Sequence, residues 1–401
     1  MLYNFYIGMV KLMYRNTYLK VDIDVLKNNI KNIKKEYSDY SYYFGVVKGN
    51  AYGHGDYIVN SLIEAGVNYL AVSSLDEAIS IRKYNKEISI LVLEPIDIKY
   101  LDECIENNIT ITLCDYDYYK KLVEYDNLSK LKIHLKIETG MNRIGLDNKD
   151  NITEIFNNND LNIEGIYTHF ATSGYIDKHY DDQVERFLYL TSDIDLSKVK
   201  IVHLGRSNTL INHKKFDFAN GIRLGIVMYG FNNKINLGNG LIGKVRSIKN
   251  NFIRKINSIS ETIDSNLKVD TAISLYSEVM QVKKCSKGSF VGYGANYKVM
   301  EDEYVATLPV GYFDGVNNFK QVSINGNLYD IVGDICMDML MVKVDESVKV
   351  GDMACLFGEG LSLKKVCNDA GISAYRLLTG ISTRVPRVYV EKGNDDKEMR
   401  Y

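Results

Sequence analysis

Apolar residues along the first 230 positions follow two alternating rhythms. The runs YYFGVV (42–47), YLAVSS (69–74), ISILVL (88–93), ITITLC (109–114), KIHLKI (132–137), IEGIYTH (163–169), KIVHL (200–204) and IRLGIVMY (222–229) are short and largely apolar, as strands buried on both faces should be. Most are separated by stretches whose apolar residues fall three and four apart. Between Asp24 and Lys35, for example, Leu26, Ile30 and Ile33 share one helical face, with Asp22 or Asp24 placed to cap its start. Eight strands alternating with helices over roughly 215 residues is the count and length of a (β/α)8 barrel. A doubly wound sheet is the competing α/β arrangement.

After Tyr229 the texture changes. Residues 231–270 are polar and rich in Asn, Ser and Lys, and beyond them AISLYSEVMQVKKC, YVATLPVG, KQVSING, LYDIVGDICMDMLMVKV and DMACLFG alternate like short strands between Gly, Asn and Asp turns. The expected organisation is therefore α/β: an N-terminal (β/α)8 TIM-type barrel over 14–235, a polar connection over 236–270, and a C-terminal mostly-β domain over 271–395. FNNNDLN (156–162) is a loop by composition.

With 401 residues, the chain exceeds what one core usually supports, and 46% hydrophobic with 25% charged residues is ordinary globular composition. Its 49 Lys and Arg against 51 Asp and Glu leave a net charge of −2, which argues against bulk-charge attachment to nucleic acid or membrane. Six cysteines without CxxC spacing suggest reduced thiols in a cytoplasmic protein and no metal site. The leading MLYNFYIGMVKLM is interrupted by Asn4 and Lys11, too short to span a membrane and without a small-residue cleavage site.

Candidate chemistry concentrates in Val46-Val47-Lys48-Gly49-Asn50-Ala51-Tyr52-Gly53-His54-Gly55, which sets a lysine at the C-terminal end of a buried strand. In a barrel that end is the catalytic face. Apolar walls lower a lysine's pKa and prepare its amine to condense with an aldehyde, while the glycines let backbone approach a ligand closely. A solvated lysine opening a Gly-rich loop is the simpler alternative.

The string VVKGNAYGHG resembles the lysine signature of the pyridoxal-phosphate-dependent alanine racemases. The resemblance continues through SSLDEA (73–78), HLKIETGMNRIG (134–145), GIYTHFAT (165–172), IRLGIVMYG (222–230), VGYGANY (291–297), LPVGYFDG (308–315), VGDICMDM (332–339) and STRVPRVYV (382–390). It implies a barrel followed by a β domain, with pyridoxal 5'-phosphate as cofactor and a small amino acid as substrate. Lys48 would carry the cofactor covalently and act as one base, and Tyr293 would be the other. Two bases on opposite faces achieve racemisation: one removes the Cα proton and the other returns a proton. A tyrosine serving as a base near neutrality needs its phenolate stabilised by roughly 3 pKa units, about 4 kcal/mol.

The resemblance also implies that Arg223 faces the cofactor's ring nitrogen, donating a hydrogen bond without giving up a proton. His169 would stand beside it. Tyr52, Ser207 and the backbone N–H groups of Gly225 and Ile226 would bind the phosphate. Arg143 would contact cofactor and substrate, and Lys136, which orients that arginine, matches a lysine that is carbamylated in many relatives. Tyr312 and Met337 would meet the substrate carboxylate. In the family these β-domain residues and Tyr293 reach the active site of the partner subunit, so a homodimer with shared active sites is implied.

Three positions depart from the family pattern. Thr383 replaces a tyrosine that touches the phosphate and crowds the substrate side chain, and related serine racemases also carry a small polar residue there. Arg206 stands where a neutral residue is usual, and the polar stretch 231–270 is longer than the usual connection. The leading expectation is an isomerase interconverting L- and D-alanine for peptidoglycan. Serine racemisation is the alternative, and a decarboxylase of the same fold type is disfavoured by the YGANY motif.

Overall fold

A strand that the apolar pattern did not single out comes first. In this computed structural model β1 (Thr17–Asp22) leads into helix α1 (Ile23–Glu36), whose start is capped by Asp22 Oδ1 accepting the Val25 N–H at 3.0 Å. Leu26, Ile30 and Ile33 of α1 are fully buried, each worth about 1.5–3 kcal/mol, which outweighs the modest helix propensity of its Asn-rich remainder. The structure describes residues 14–175, 177–235, 263 and 265–392, together with the backbone of 399 and 400. Residues 1–13 and most of the expected connection 236–270 lie outside the described residues.

The eight apolar runs become β2 (Tyr42–Val46), β3 (Tyr69–Val72), β4 (Ile90–Val92), β5 (Ile109–Leu113), β6 (Lys132–Lys136), β7 (Asn162–Tyr167), β8 (Ile201–His203) and β9 (Gly221–Leu224). They pair in parallel in the order β8-β7-β6-β5-β4-β3-β2-β9. Asn220 and Arg223 close the ring, the first donating its N–H to Val202 O at 3.1 Å and the second to Gly205 O at 3.2 Å. The Asn220 side chain adds two bonds across the same seam, accepting from Val202 N and donating to Lys200 O, both at 2.9 Å. A closed parallel barrel with intervening helices excludes the doubly wound alternative.

Contacts divide the chain into two units: Lys27–Ala51 with Asp56–Asp270, which holds the barrel, and Met1–Leu26 with Tyr52–Gly55 and Thr271–Tyr401. The second unit is built on a sheet in which β1 pairs antiparallel with β10 (Ile273–Glu278) and parallel with β19 (Arg387–Val390). The sheet also contains β11 (Gln281–Cys285), β14 (Glu303–Leu308), β15 (Gln321–Ile324), β16 (Asn327–Val332), β17 (Leu340–Val344) and β18 (Met353–Phe357), while β12 (Phe290–Val291) and β13 (Tyr297–Lys298) pair with each other as a separate two-stranded sheet. Asn325 and Gly326 join β15 to β16 with φ of 52° and 82°, the paired left-handed conformation that an Asn-Gly hairpin favours. Two helices, Leu363–Ala370 and Ala374–Gly380, follow β18.

Candidate active site

Lys48 sits two residues beyond the end of β2, at the barrel's C-terminal face. Gly49, Asn50, Ala51 and Tyr52 then run through a left-handed turn with φ of 63°, 53°, 50° and 53°. Three of these are not glycine, and the left-handed helical region costs about 1–2 kcal/mol per such residue. The turn is held by Ala51 N–H on Val47 O at 2.8 Å and Gly49 N–H on Glu77 Oε1 at 2.7 Å. Glu77 Oε2 also accepts the Ser73 N–H at 2.7 Å, so one carboxylate ties the loop after β3 to the lysine turn. Burial and then the charge of Arg143 lower the Lys48 pKa, and Glu77 and Glu94 oppose them.

Other cations gather at the same face. Lys136, the last residue of β6, is buried, and desolvation followed by Arg143 brings its pKa to about 8. Arg143 lies in a loop held by Glu138, whose carboxylate accepts the backbone N–H groups of Gly140 (2.6 Å), Asn142 (2.9 Å) and Arg143 (3.2 Å). Arg223 on β9 is buried, yet its pKa of about 10 keeps it charged near neutrality. Its guanidinium donates to Thr168 O at 2.7 Å, Leu204 O at 2.9 Å, His203 Nδ1 at 2.8 Å and His203 O. Lys136 Nζ and the Arg223 guanidinium both lie over the Tyr167 ring, 5.8 and 5.3 Å from its centroid.

The histidine hydrogen-bonded to Arg223 is His203, at the end of β8. His169 is half-buried, and its pKa is driven well down by desolvation first and then by the charges of Arg223, Arg206, Arg143 and Lys136. Arg206 turns onto the loop after β7, donating to Phe170 O at 3.2 Å and Ala171 O at 3.4 Å. Ser207 Oγ accepts the Gly225 N–H at 2.9 Å and the Val227 N–H at 3.4 Å, bringing two of the expected phosphate ligands together, with Ile226 between them in sequence. His203, Tyr167, Glu77 and Glu138 were not singled out from sequence, although three fall at or just beyond the end of a barrel strand and Glu77 lies in the first turn of the helix after β3.

In the other unit the expected residues stand on adjoining loops. Tyr312 N–H and Phe313 N–H donate to Cys336 O (2.9 Å) and Met337 O (3.1 Å). Gly311 permits this approach, because a Cβ there would fall 2.3 Å from Cys336 O. Asn296, three residues beyond Tyr293, donates to Asp334 Oδ2 at 2.7 Å. Asp314, fully buried, pairs with Arg15 (2.7 Å) and Arg384 (2.9 Å), and its backbone carbonyl accepts the Ser382 N–H at 3.1 Å, tying the Thr383 loop to the Tyr312 loop. Tyr293, Tyr312, Met337 and Thr383 are all exposed, Tyr293 at 74%. Arg387 donates to Gly53 O (3.0 Å), Ile381 O (3.0 Å), Ser382 O (2.7 Å) and Val385 O (2.7 Å), which fixes the turn after Tyr52 against the Thr383 loop.

A strand-end lysine, a buried arginine backed by histidine, and the Ser207–Gly225 pair are accompanied by full-length similarity to known proteins. Family models for the alanine racemase N-terminal domain and C-terminal domain match residues 21–233 and 272–389. The chain belongs to the alanine racemase family. Alanine racemase 1 of Bacillus subtilis is 32% identical over 96% of this chain and 95% of its own length. Alanine racemase of Pediococcus pentosaceus is 33% identical over 96% and 99%. The crystal structure of alanine racemase from Bacillus anthracis with bound L-Ala-P superposes with a TM-score of 0.80 at 29% identity, covering 97% and 99% of the two chains. Among the described residues of this family member, no helix is long and apolar enough to cross a membrane.

Proposed function

We propose that the protein is a pyridoxal-phosphate-dependent isomerase that interconverts L- and D-alanine in the cytoplasm, supplying D-alanine for peptidoglycan. The observation that carries this reading is the amine of Lys48, its pKa lowered, at the barrel's C-terminal face within the field of Arg143. The donor set fits the cofactor. Lys48, Lys136, Arg143, Arg206 and Arg223 concentrate positive charge, while Glu77 and Glu138 are engaged by backbone N–H groups, so the face favours an anionic ligand carrying a phosphate and a phenolate.

When bound, the cofactor supplies the electron sink that makes the substrate's Cα–H acidic. Lys48 holds it covalently and takes or returns the Cα proton on one face. Tyr293 of the partner subunit does the same on the other face, in a homodimer where Tyr312 and Met337 meet the substrate carboxylate. Arg223 would donate to the ring nitrogen and, charged near neutrality, would not protonate it. Ser207, Gly225, Ile226 and Tyr52 would hold the phosphate, and Arg143 would orient the ring and the substrate. His169 stays neutral beside Arg223. A residue as small as Thr383 would leave room beside the substrate side chain, which supports serine as a second substrate.

The test is a chiral assay of purified protein supplied with pyridoxal 5'-phosphate and offered L- or D-alanine and L- or D-serine. Racemisation of alanine is expected, with slower turnover of serine. Failure to exchange the α-hydrogen of either amino acid would refute the reading.

A further inference from the structure

Barrel interiors are usually filled with branched apolar side chains. Here Tyr69, His134, Glu164, His203 and Arg223, all buried, form a connected line that twice joins strands that are not neighbours, β8 to β6 and β7 to β3, and so must run through the interior. It starts at Arg223, near the barrel's C-terminal face. Arginine only donates, so the 2.8 Å contact with His203 Nδ1 makes that nitrogen an acceptor and puts the ring's proton on Nε2. Nε2 lies 2.9 Å from His134 Nδ1, which must accept in turn and leave the His134 proton on Nε2. That nitrogen is 3.4 Å from Glu164 Oε2. Glu164 also receives Tyr69 OH at 2.7 Å and Lys200 Nζ at 2.7 Å, the lysine lying just before β8 with its side chain 60% exposed at the opposite end of the barrel. The line thus begins on a group that can only donate and ends on one that, when ionised, can only accept.

The surrounding rings and backbone are shaped to this line. His203 stacks on Phe44 at 4.5 Å and 12° and on Tyr167 at 4.7 Å and 17°, and two parallel rings that close must occupy opposite faces. Gly165, beside Glu164, makes room for His134, because a Cβ there would lie 2.7 Å from the ring's Cε1. Burial pushes both histidines toward the neutral form, and the charge of Arg223 adds to that effect. Burial alone would raise the Glu164 carboxyl, but His134, Lys200 and Tyr69 overcome it and hold the group well below the usual carboxylate range.

We propose that Glu164 and His134 are positioning residues that fix the tautomer of His203, and through it the seating of Arg223, from the far end of the barrel. The proposal rests on the reading of Arg223 as the group facing the cofactor ring. Reversing the line would place a His203 Nδ1–H against the Arg223 N–H and a bare His134 Nε2 against a carboxylate. Both ends therefore forbid the reversed arrangement. Glu164→Gln removes one lock, since an amide can donate as well as accept.

The chain has six histidines, so 15N-detected spectra of histidine-labelled protein, assigned by single substitutions and recorded without cofactor, read each nitrogen directly. In the native protein both His203 and His134 should show a bare Nδ1 and a protonated Nε2. Glu164→Gln should add the opposite tautomer at both rings and lower alanine kcat on the order of 10-fold at unchanged KM, the size of one charge-assisted hydrogen bond. A native His203 protonated at Nδ1, or at both nitrogens, overturns the proposal without any variant. So does a Glu164→Gln protein with unaltered spectrum and kcat. Correct tautomers in a protein that never racemises alanine would instead overturn the racemase reading and with it the link to catalysis.

Discussion

Lys136 offers a sharp chemical test, because its environment sets the nucleophilicity of its amine. An ordinary lysine with a pKa near ~10.4 is only about 0.4% neutral at pH 8. Desolvation at the end of β6, reinforced by Arg143, brings Lys136 to about 8, so about half of it is neutral there, roughly a hundredfold gain in reactive amine. A neutral amine adds to CO2 and releases one proton to solvent, giving a carbamate whose negative charge would be stabilised by Arg143. With 13C-bicarbonate held at constant concentration, a protein-bound carbamate carbon should appear in the 13C spectrum, grow as pH rises to about 8 and then level. An exposed lysine would keep gaining until near pH 10. The signal should be absent in Lys136→Met, which keeps the length of the side chain without its amine. A signal that persists in that variant, or that keeps rising to pH 10, would refute the reasoning about Lys136. The linkage has a definite sign. A lysine whose pKa falls on folding is protonated more readily in the unfolded chain, so the uncarbamylated protein should gain stability as pH rises from 8 toward 10.

Other outcomes follow from the same geometry. Lys48→Ala and Tyr293→Phe should each lower racemisation by at least about 10²–10⁴, and mixing the two inactive chains should restore part of it if one site draws on two chains; activity that stays absent after confirmed subunit exchange would contradict sharing. Thr383→Tyr should lower the serine-to-alanine ratio of kcat/KM by about 10- to 200-fold, the range that one small pocket group commands, and an unchanged or higher ratio would remove Thr383 from substrate selection. Arg387→Met should leave the four carbonyls at Gly53, Ile381, Ser382 and Val385 without this donor. At about 1–3 kcal/mol for each acceptor left dry, the midpoint of urea unfolding should fall even if water rescues half of them, and an unshifted midpoint would show that the arginine does not brace that turn.

The sequence by itself determined the eight barrel strands and the face on which chemistry sits. Near-continuous apolar runs fit strands buried on both faces, which left a barrel and a doubly wound sheet open, and a lysine directly after such a run marks the C-terminal face once the barrel is closed. Motifs with local backbone logic were also legible: the Asp22 cap, and the Gly, Asn and Asp turns between the later strands, Asn325-Gly326 among them. Tertiary structure decided what depends on distance across the barrel or across loops. Strand β1 alternates apolar and polar residues and lacks the near-continuous apolar texture of the barrel strands, and its membership of the second sheet comes from pairing with β10 and β19, more than 240 residues away. Arg223 meets His203 because β8 and β9 come together only where the barrel closes, a juxtaposition that no spacing encodes. The two histidines and Glu164 sit on β6, β7 and β8 as isolated polar residues, and along the chain each reads as an interruption in an apolar strand. Only the closed barrel brings their nitrogens and oxygens to within 3.4 Å, since a line of donors and acceptors is fixed by their directions in space and not by their order in sequence.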